Sequence, residues 1–327
     1  MSLDAIRQFL RHRDCIIFVG SGISMWSGLP GWGGLLNALA THLEVEGHSA
    51  DLVRREISNS DLLQAASYGV SKLTPASFGN FIRKATRVGV VGPHQIHEAL
   101  VKLGPTSFVT TNYDTLIEQA LATWRAETYF TGPITNKHLV ELTDIIGARS
   151  SNFVFKPHGD VGDTSSIILT REHYRLLLPG GERHNALEAL KTLLITRPVL
   201  YVGFGLRDPD FVYLRDLLLN IYQGAVRDHW AIMPDVTDDE AAYWRGQYGI
   251  RLQGYATYPR ADETRDHREL LELLRALAAP ELNAALNVAP IKVPSVERDA
   301  ERVLALTRYA SGLMRRFSLP NGAVEVR

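Results

Sequence analysis

The chain has 327 residues, 45% hydrophobic and 22% charged, enough to bury a full core in one large domain or two modest ones. A formal net charge of -1 offers no overall attraction for nucleic acid, so direct nucleic-acid binding is not expected. Cys15 is the single cysteine, which excludes an internal disulfide and a multi-cysteine zinc site; no apolar run reaches the ~18 residues of a membrane span or forms a leader pattern, so a cytoplasmic protein is expected.

Residues 2–13 read as a short amphipathic helix with Leu3, Ile6, Phe9 and Leu10 on one side. The apolar run Ile16-Ile17-Phe18-Val19 then breaks into Gly20-Ser21-Gly22-Ile23-Ser24 and leads to Gly28-Leu29-Pro30-Gly31-Trp32. A buried strand, a tight glycine turn and a helix start in that order are what a pyrophosphate-binding turn requires, with Gly20 and Gly22 allowing close backbone approach. The same pattern also serves a plain sharp connection. Repeated helical spacings over about 33–100 predict a helical insertion, and Pro93 suits the start of its last helix. His94 and His97 share a helix face there; with no third ligand nearby, a structural role is the expectation.

A second strand, 107–110, ends in Thr111-Asn112-Tyr113-Asp114 before a helix over 116–125. Polar residues at the carboxyl end of a parallel strand face the crevice where open α/β sheets bind ligands, which makes Asn112 and Asp114 candidate site residues; each is also a good helix cap. A third run, 152–155, ends in Lys156-Pro157-His158-Gly159-Asp160, placing the His158 imidazole at the same edge, where it can act as a general base or serve only as a hydrogen-bonded turn residue. Helices follow over 171–178 and up to residue 195, then a strand, 198–202, that breaks into Gly203-Phe204-Gly205-Leu206-Arg207-Asp208-Pro209-Asp210. Asp208 contacts a ribose hydroxyl or, like Asp210, caps the next helix. The segments 230–233 and 250–252 read as the last strands, and 268–278 as a helix. Short apolar strands alternating with helices give an α/β fold with a Rossmann-like, mostly parallel sheet.

The ordered set GSGIS…SGLP, PHQIHEAL, TTNYD, KPHGD and GFGLRDPDF, spanning roughly residues 16–260, resembles the sirtuin fold, and more closely its sirtuin-like branch in bacterial antiphage defence, whose members are NAD hydrolases. The resemblance implies that Gly20, Ser21 and Gly22 form the pyrophosphate turn and that Ser24 and Pro30 continue it. It implies a catalytic pair, Asn112 and His158, with Tyr113 and Asp114 at the nicotinamide carboxamide and Gly203, Gly205 and Asp208 at the adenosine end. His97 matches a histidine regarded as structural.

The departures carry information. Sirtuin deacylases have Asp-Phe-Arg where this chain has Gly31-Trp32-Gly33, glutamine at the position of Thr111, and a four-cysteine zinc ribbon that one cysteine cannot form. Water rather than an acyl-lysine is therefore the expected acceptor, and NAD the substrate, with no zinc and no other cofactor. A zinc-free NAD-dependent protein deacylase and a non-catalytic NAD or ADP-ribose sensor are the rival readings. The expected organisation is a sirtuin-like NAD-binding domain over 1–285 and a linker with a C-terminal helical extension over 286–327, which either packs back or serves oligomerisation. The resemblance further implies control by homo-oligomerisation or by a partner ATPase or Argonaute-type protein, since NAD depletion is toxic to the host cell.

Overall fold

The computed structural model describes residues 3–147, 152–204, 229–261 and 264–278. All of them fall within Met1–Ala279, one compact unit. The linker and helix expected over 286–327 lie outside the described residues, as do Gly205 and Asp208.

After α1 (Leu3–Leu10), the strand β1 (Ile16–Val19) sends alternate side chains to opposite layers: Ile16 and Phe18 join one apolar cluster, Ile17 and Val19 another. All four are buried, so the strand has no solvent face and reads as a continuous apolar run. A short α2 (Ser21–Ser24) and a single turn lead into the helical insertion: α3 (Trp32–Val45), α4 (Asp51–Ser58), α5 (Leu62–Val70), α6 (Pro75–Ala85) and α7 (Gln95–Val101). Local chemistry sets these starts. Thr74 caps α6 by accepting from the Ser77 N–H, with Pro75 at the first helical position, and Asp61 caps α5 by accepting from the Gln64 N–H. The helices pack about their own core of Leu36, Leu39, Leu43, Phe81 and Ile82, which also takes in Tyr113 and Val161 from the sheet edge.

The chain then runs through β2 (Ser107–Thr110), α8 (Leu116–Trp124), β3 (Thr131–Thr135), α9 (Leu139–Ile146), β4 (Phe153–Lys156), α10 (Arg171–Leu177), α11 (His184–Thr196), β5 (Val199–Val202), β6 (His229–Pro234), α12 (Asp238–Tyr248), β7 (Ile250–Tyr255), a small antiparallel pair β8 (Tyr258–Pro259) and β9 (Arg265–Asp266), and α13 (Arg268–Ala278). Seven strands form one sheet in the order β3-β4-β2-β1-β5-β6-β7, and every neighbouring pair is parallel. The expected α/β class with a Rossmann-like sheet is what the chain adopts. From β1 the chain works outward to β2, β3 and β4, then crosses to β5 on the other flank. The reversal therefore falls beside β1, where an open parallel sheet leaves a ligand crevice at the carboxyl ends of its strands.

Among the elements that the sequence reading lacks, β3 and α12 have clear local causes. β3 is an edge strand of sequence Thr-Gly-Pro-Ile-Thr, where Pro133 costs no ladder bond on the outer side. α12 begins with a reciprocal cap between Thr237 and Glu240 and ends at Gly249 in the left-handed conformation at φ 66°.

Candidate functional site

The β1 and β5 turns meet backbone to backbone. The Gly20 N–H donates to the Val202 carbonyl and the Gly22 N–H to the Gly203 carbonyl, each at 2.9 Å. A Cβ on Gly20 would sit 2.5 Å from the Gly203 oxygen, so only glycine permits this approach. Gly203 itself has φ +77°, and a side chain there would strike Ile23. The close approach made by Gly20 and Gly22 is thus to the neighbouring turn, and their N–H groups are engaged in it.

The next loop, after β2, is tied to this turn through side chains. Asn112 is 9% exposed, and its Nδ2 donates to the Gly20 carbonyl at 3.1 Å and to Ser24 Oγ at 2.9 Å. Because a backbone carbonyl can only accept, this pairing fixes which way the amide is turned. The residue itself lines a cleft. Ser24 Oγ passes its own proton to Asp114 Oδ2 at 2.7 Å, and Asp114 Oδ1 accepts from the Leu116 N–H at 3.0 Å. Asp114 therefore both anchors Ser24 and, one residue before the N-cap Thr115, takes the first N–H of α8. Tyr113 turns the other way and donates from its phenol to the Ile168 carbonyl at 2.7 Å.

His158 follows β4, the strand beside β2. It is 6% exposed, and its ring packs edge-on against Tyr174 with centroids 5.3 Å apart. Its loop is pinned on several sides. The Asn136 Nδ2 donates to the Pro157 carbonyl at 2.9 Å and the Ser166 carbonyl at 2.7 Å, and the Val161 N–H donates to the Tyr113 carbonyl at 3.0 Å. Gly159 makes the turn at φ +91°, where a Cβ would collide with the Ser166 backbone.

Beneath both loops lies Lys156, at the end of β4 and without solvent exposure. Its ammonium donates to the Asp114 carbonyl, to Glu118 Oε1 at 3.1 Å and to Asp160 Oδ2 at 2.5 Å. Burial works against this charge, but Glu118 and Asp160 outweigh it and hold the ammonium above its ordinary range. Burial pushes the Glu118 carboxyl up, against the pull of Lys156.

On the far side of Asp114, His97 is fully buried on α7. His97 Nδ1 accepts from the His94 N–H at 3.0 Å, and His94 Nδ1 accepts from the Ile96 N–H at 3.4 Å, so the two histidines cap the helix start. Burial lowers the His97 imidazole to about 4, opposed by the Asp114 carboxylate. Neutral His97, accepting at Nδ1, carries its proton at Nε2, an atom buried without a described partner.

Six of the residues selected from sequence, Ser21, Ser24, Pro30, Asn112, Tyr113 and Asp114, line one cleft, closed on its far wall by Trp32 and Thr86. Gly22 and Gly203 line a second, wider cleft of about 750 Å³ on the β5–β7 side, together with Trp26, Tyr255 and Arg260. The β1 turn separates the two. His158 lies at the same sheet edge but does not line the first cleft. Sequence reasoning gave no role to Lys156, Glu118, Asp160 or Asn136. A lysine ending an otherwise apolar strand was the available signal, since a buried cation requires buried acceptors.

With that geometry in view, residues 106–252 match the SIR2-like domain model. The NAD(+) hydrolase ThsA of Acinetobacter baumannii (strain 532279) is 29% identical over 240 residues, 72% of this chain and 45% of that protein. ThsA of Cytobacillus dafuensis is 26% identical over 246 residues, 72% of this chain and 44% of that protein. Defense-associated sirtuin 2 of Bacillus subtilis is 25% identical over 253 residues, covering 76% and 24%. The chain spans less than half the length of each of these relatives. Among solved structures, a Sir2 homologue mutant in complex with ADP-ribose aligns at a TM-score of 0.49 and 13% identity, over 88% of this chain and 99% of that one. The match over 106–252 takes in both the Asn112 and the His158 loops, so across both the chain is similar to SIR2-like proteins.

Proposed function

We propose that this chain hydrolyses NAD at the nicotinamide–ribose bond, giving nicotinamide and ADP-ribose. The observation that carries the reading is the fixed Asn112 amide in the cleft wall: both hydrogen bonds of its Nδ2 go to the β1 turn, which leaves Oδ1 as the amide's acceptor for a ligand. The relatives named as NAD(+) hydrolases support the choice of substrate. The two clefts on either side of the β1 turn suit a long ligand, with the nicotinamide end beside Asn112 and Asp114 and the adenosine end beside Gly203.

Nicotinamide leaves as a neutral ring from a cationic one, so the bond needs a dry, polar-lined pocket and a nucleophile more than it needs acid catalysis. Asn112 Oδ1 accepts an O–H from the attacking water or a ribose hydroxyl and orients it. His158, at the same sheet edge but outside this cleft's lining, takes up, through an intervening ribose hydroxyl or water, the proton released when water adds to the ribose carbon. Asp114 offers the carboxamide the lone pairs left free by Ser24 and Leu116, and the Tyr113 backbone flanks it. Ser21, Ser24 and Pro30 hold the substrate at the turn, while Gly20 and Gly22 set that turn's shape. Gly31-Trp32-Gly33 stand where deacylases carry Asp-Phe-Arg, so the arginine contact to NAD is absent, and water is the acceptor.

We further propose that this activity serves antiphage defence by NAD depletion, on the strength of the Bacillus subtilis relative's name. The sirtuin-like resemblance implies control of such a toxic activity by self-assembly or by a partner ATPase or Argonaute-type protein. The test is incubation of the full chain with NAD alone, following nicotinamide by chromatography and NAD binding by calorimetry. Nicotinamide release without an acyl-peptide is the expected result. Release only with an acyl-peptide would replace the reading with a deacylase, and binding without turnover, with a sensor.

A further inference from the structure

We propose that Lys156 is a positioning residue for this reaction, a buried tripod that sets the spacing between the loop carrying Asn112 and the loop carrying His158. The inference rests on the hydrolytic reading for its functional consequence and on geometry for its structure.

An ammonium has three donors, and Lys156 Nζ meets three acceptors on three different segments: the Asp114 carbonyl after β2, Glu118 Oε1 on α8 and Asp160 Oδ2 after β4. Each contact leads on to the site. Asp114 holds Ser24, and Ser24 holds the Asn112 amide. Asp160 stands two residues beyond His158, and its other oxygen and its N–H are bound by Gly162 and Ser166 Oγ, so its position is transmitted to the turn. Glu118 Oε2 is buried with no described partner, which leaves Lys156 as the counter-charge that Glu118 faces.

An apolar side chain of similar length would fill the same space without the desolvation that a charge suffers there. What only the charge supplies is convergence: a carbonyl after β2, a carboxylate on α8 and a carboxylate after β4 are drawn to a single atom. The junction between the β1 and β5 turns does not depend on Lys156, because backbone bonds join the two. Lys156 should therefore control how the reacting groups are aligned and leave binding of the dinucleotide at the glycine turn unchanged.

The experiment compares the parent with Lys156→Met and Glu118→Gln in the full chain by two readouts. Hydrogen exchange followed by mass spectrometry is read over segments 111–118 and 157–161, relative to β6. Steady-state nicotinamide release gives kcat and KM for NAD. In Lys156→Met, exchange should rise about tenfold or more in both segments together, at an unchanged rate in 16–22, because a segment opens more often once the ion pairs and hydrogen bonds that held it are removed. Turnover should fall about 100-fold in kcat with KM nearly unchanged, the scale of a misalignment of about 1 Å. Glu118→Gln keeps the shape and should show both effects at smaller size. Parental exchange in a folded Lys156→Met, or a rise confined to 157–161, overturns the tripod. Loss in KM rather than kcat overturns the positioning role. If Lys156→Met does not fold, Glu118→Gln and Asp160→Asn carry the same outcomes. The exchange arm needs no substrate, so a parent that releases no nicotinamide overturns the hydrolytic reading separately from the tripod.

Discussion

The β1 and β5 turns are joined by backbone hydrogen bonds across glycines, whereas the β2 and β4 loops beside them are joined by side chains, from Asn112 through Ser24 and Asp114 to Lys156 and Asp160. The first region tolerates no added atom: a Cβ on Gly20 meets a carbonyl at 2.5 Å. The second region is held by charge and hydrogen bonding, with a buried lysine between a buried Asp160 and a half-buried Glu118. One half of the site is thus rigid by exclusion of volume, and the other is adjustable and rests on protonation states and amide orientation. A fixed turn suits holding a dinucleotide, and a polar network suits aligning groups that exchange protons.

The sharpest break in that comparison comes from the reacting groups. Asn112→Ala and His158→Ala should each reduce nicotinamide release by ~100- to 10,000-fold with the fold retained, as followed by turnover and circular dichroism. A folded variant at the parental rate would remove that residue from the chemistry.

On the glycine side the expected loss is in stability. Gly20→Ala should destabilise the chain by about 3 kcal/mol in denaturant titration, since its new methyl group conflicts with backbone rather than a movable side chain. An unchanged midpoint would mean that the two turns are less tightly joined than their hydrogen bonds indicate.

The two regions should also part in their response to acid. His97, packed near Asp114 in the side-chain region, stays neutral down to about 4 when folded, while its ordinary value is 6.5. As pH falls below 6.5 the unfolded chain takes up a proton that the folded chain refuses, so stability that is intact above 6.5 is lost progressively as pH approaches 4. The contribution is roughly 3 kcal/mol at full extent. His97→Gln should flatten the pH dependence of the melting temperature between those limits, and an identical slope in parent and variant would contradict the assignment.

The smallest effect belongs to the surface. Arg171 grips Asp61 at 2.8 Å through both carboxylate oxygens, but each side chain is more than two-fifths exposed. Asp61→Asn keeps the cap on α5 and should cost less than about 1 kcal/mol, vanishing at high salt. A larger, salt-insensitive loss would mean that polar contacts outside the site carry stability too.

The same contrast explains what could be read from the residues alone. Apolar runs that break into glycine announce β1 and β5, because both the buried strand and the close turn demand particular residue types, and the segments expected over 16–19 and 107–110 coincide with β1 and β2. Asn112 and His158 were legible as polar residues at strand ends, and both sit on neighbouring strands at one edge. The network under them was not, because Lys156 reaches Glu118 and Asp114 across 38 and 42 positions, separations at which no local pattern operates. β3 was hidden by a Gly-Pro pair that reads as a turn and is admissible only because the strand lies at an edge. α12 was readable, since Thr237 and Glu240 carry the capping-box spacing, yet the polar run they open gives weak apolar periodicity.

A crystal structure of His158→Ala soaked with NAD decides most plainly whether the Asn112 amide faces the bond that breaks. The nicotinamide ribose is expected in the cleft between Ser24, Asn112 and Asp114, with a ribose hydroxyl or a water on Asn112 Oδ1 and the dinucleotide crossing the β1 turn toward Gly203. A dinucleotide bound elsewhere, or one whose nicotinamide lies away from the Asn112 amide, would contradict it.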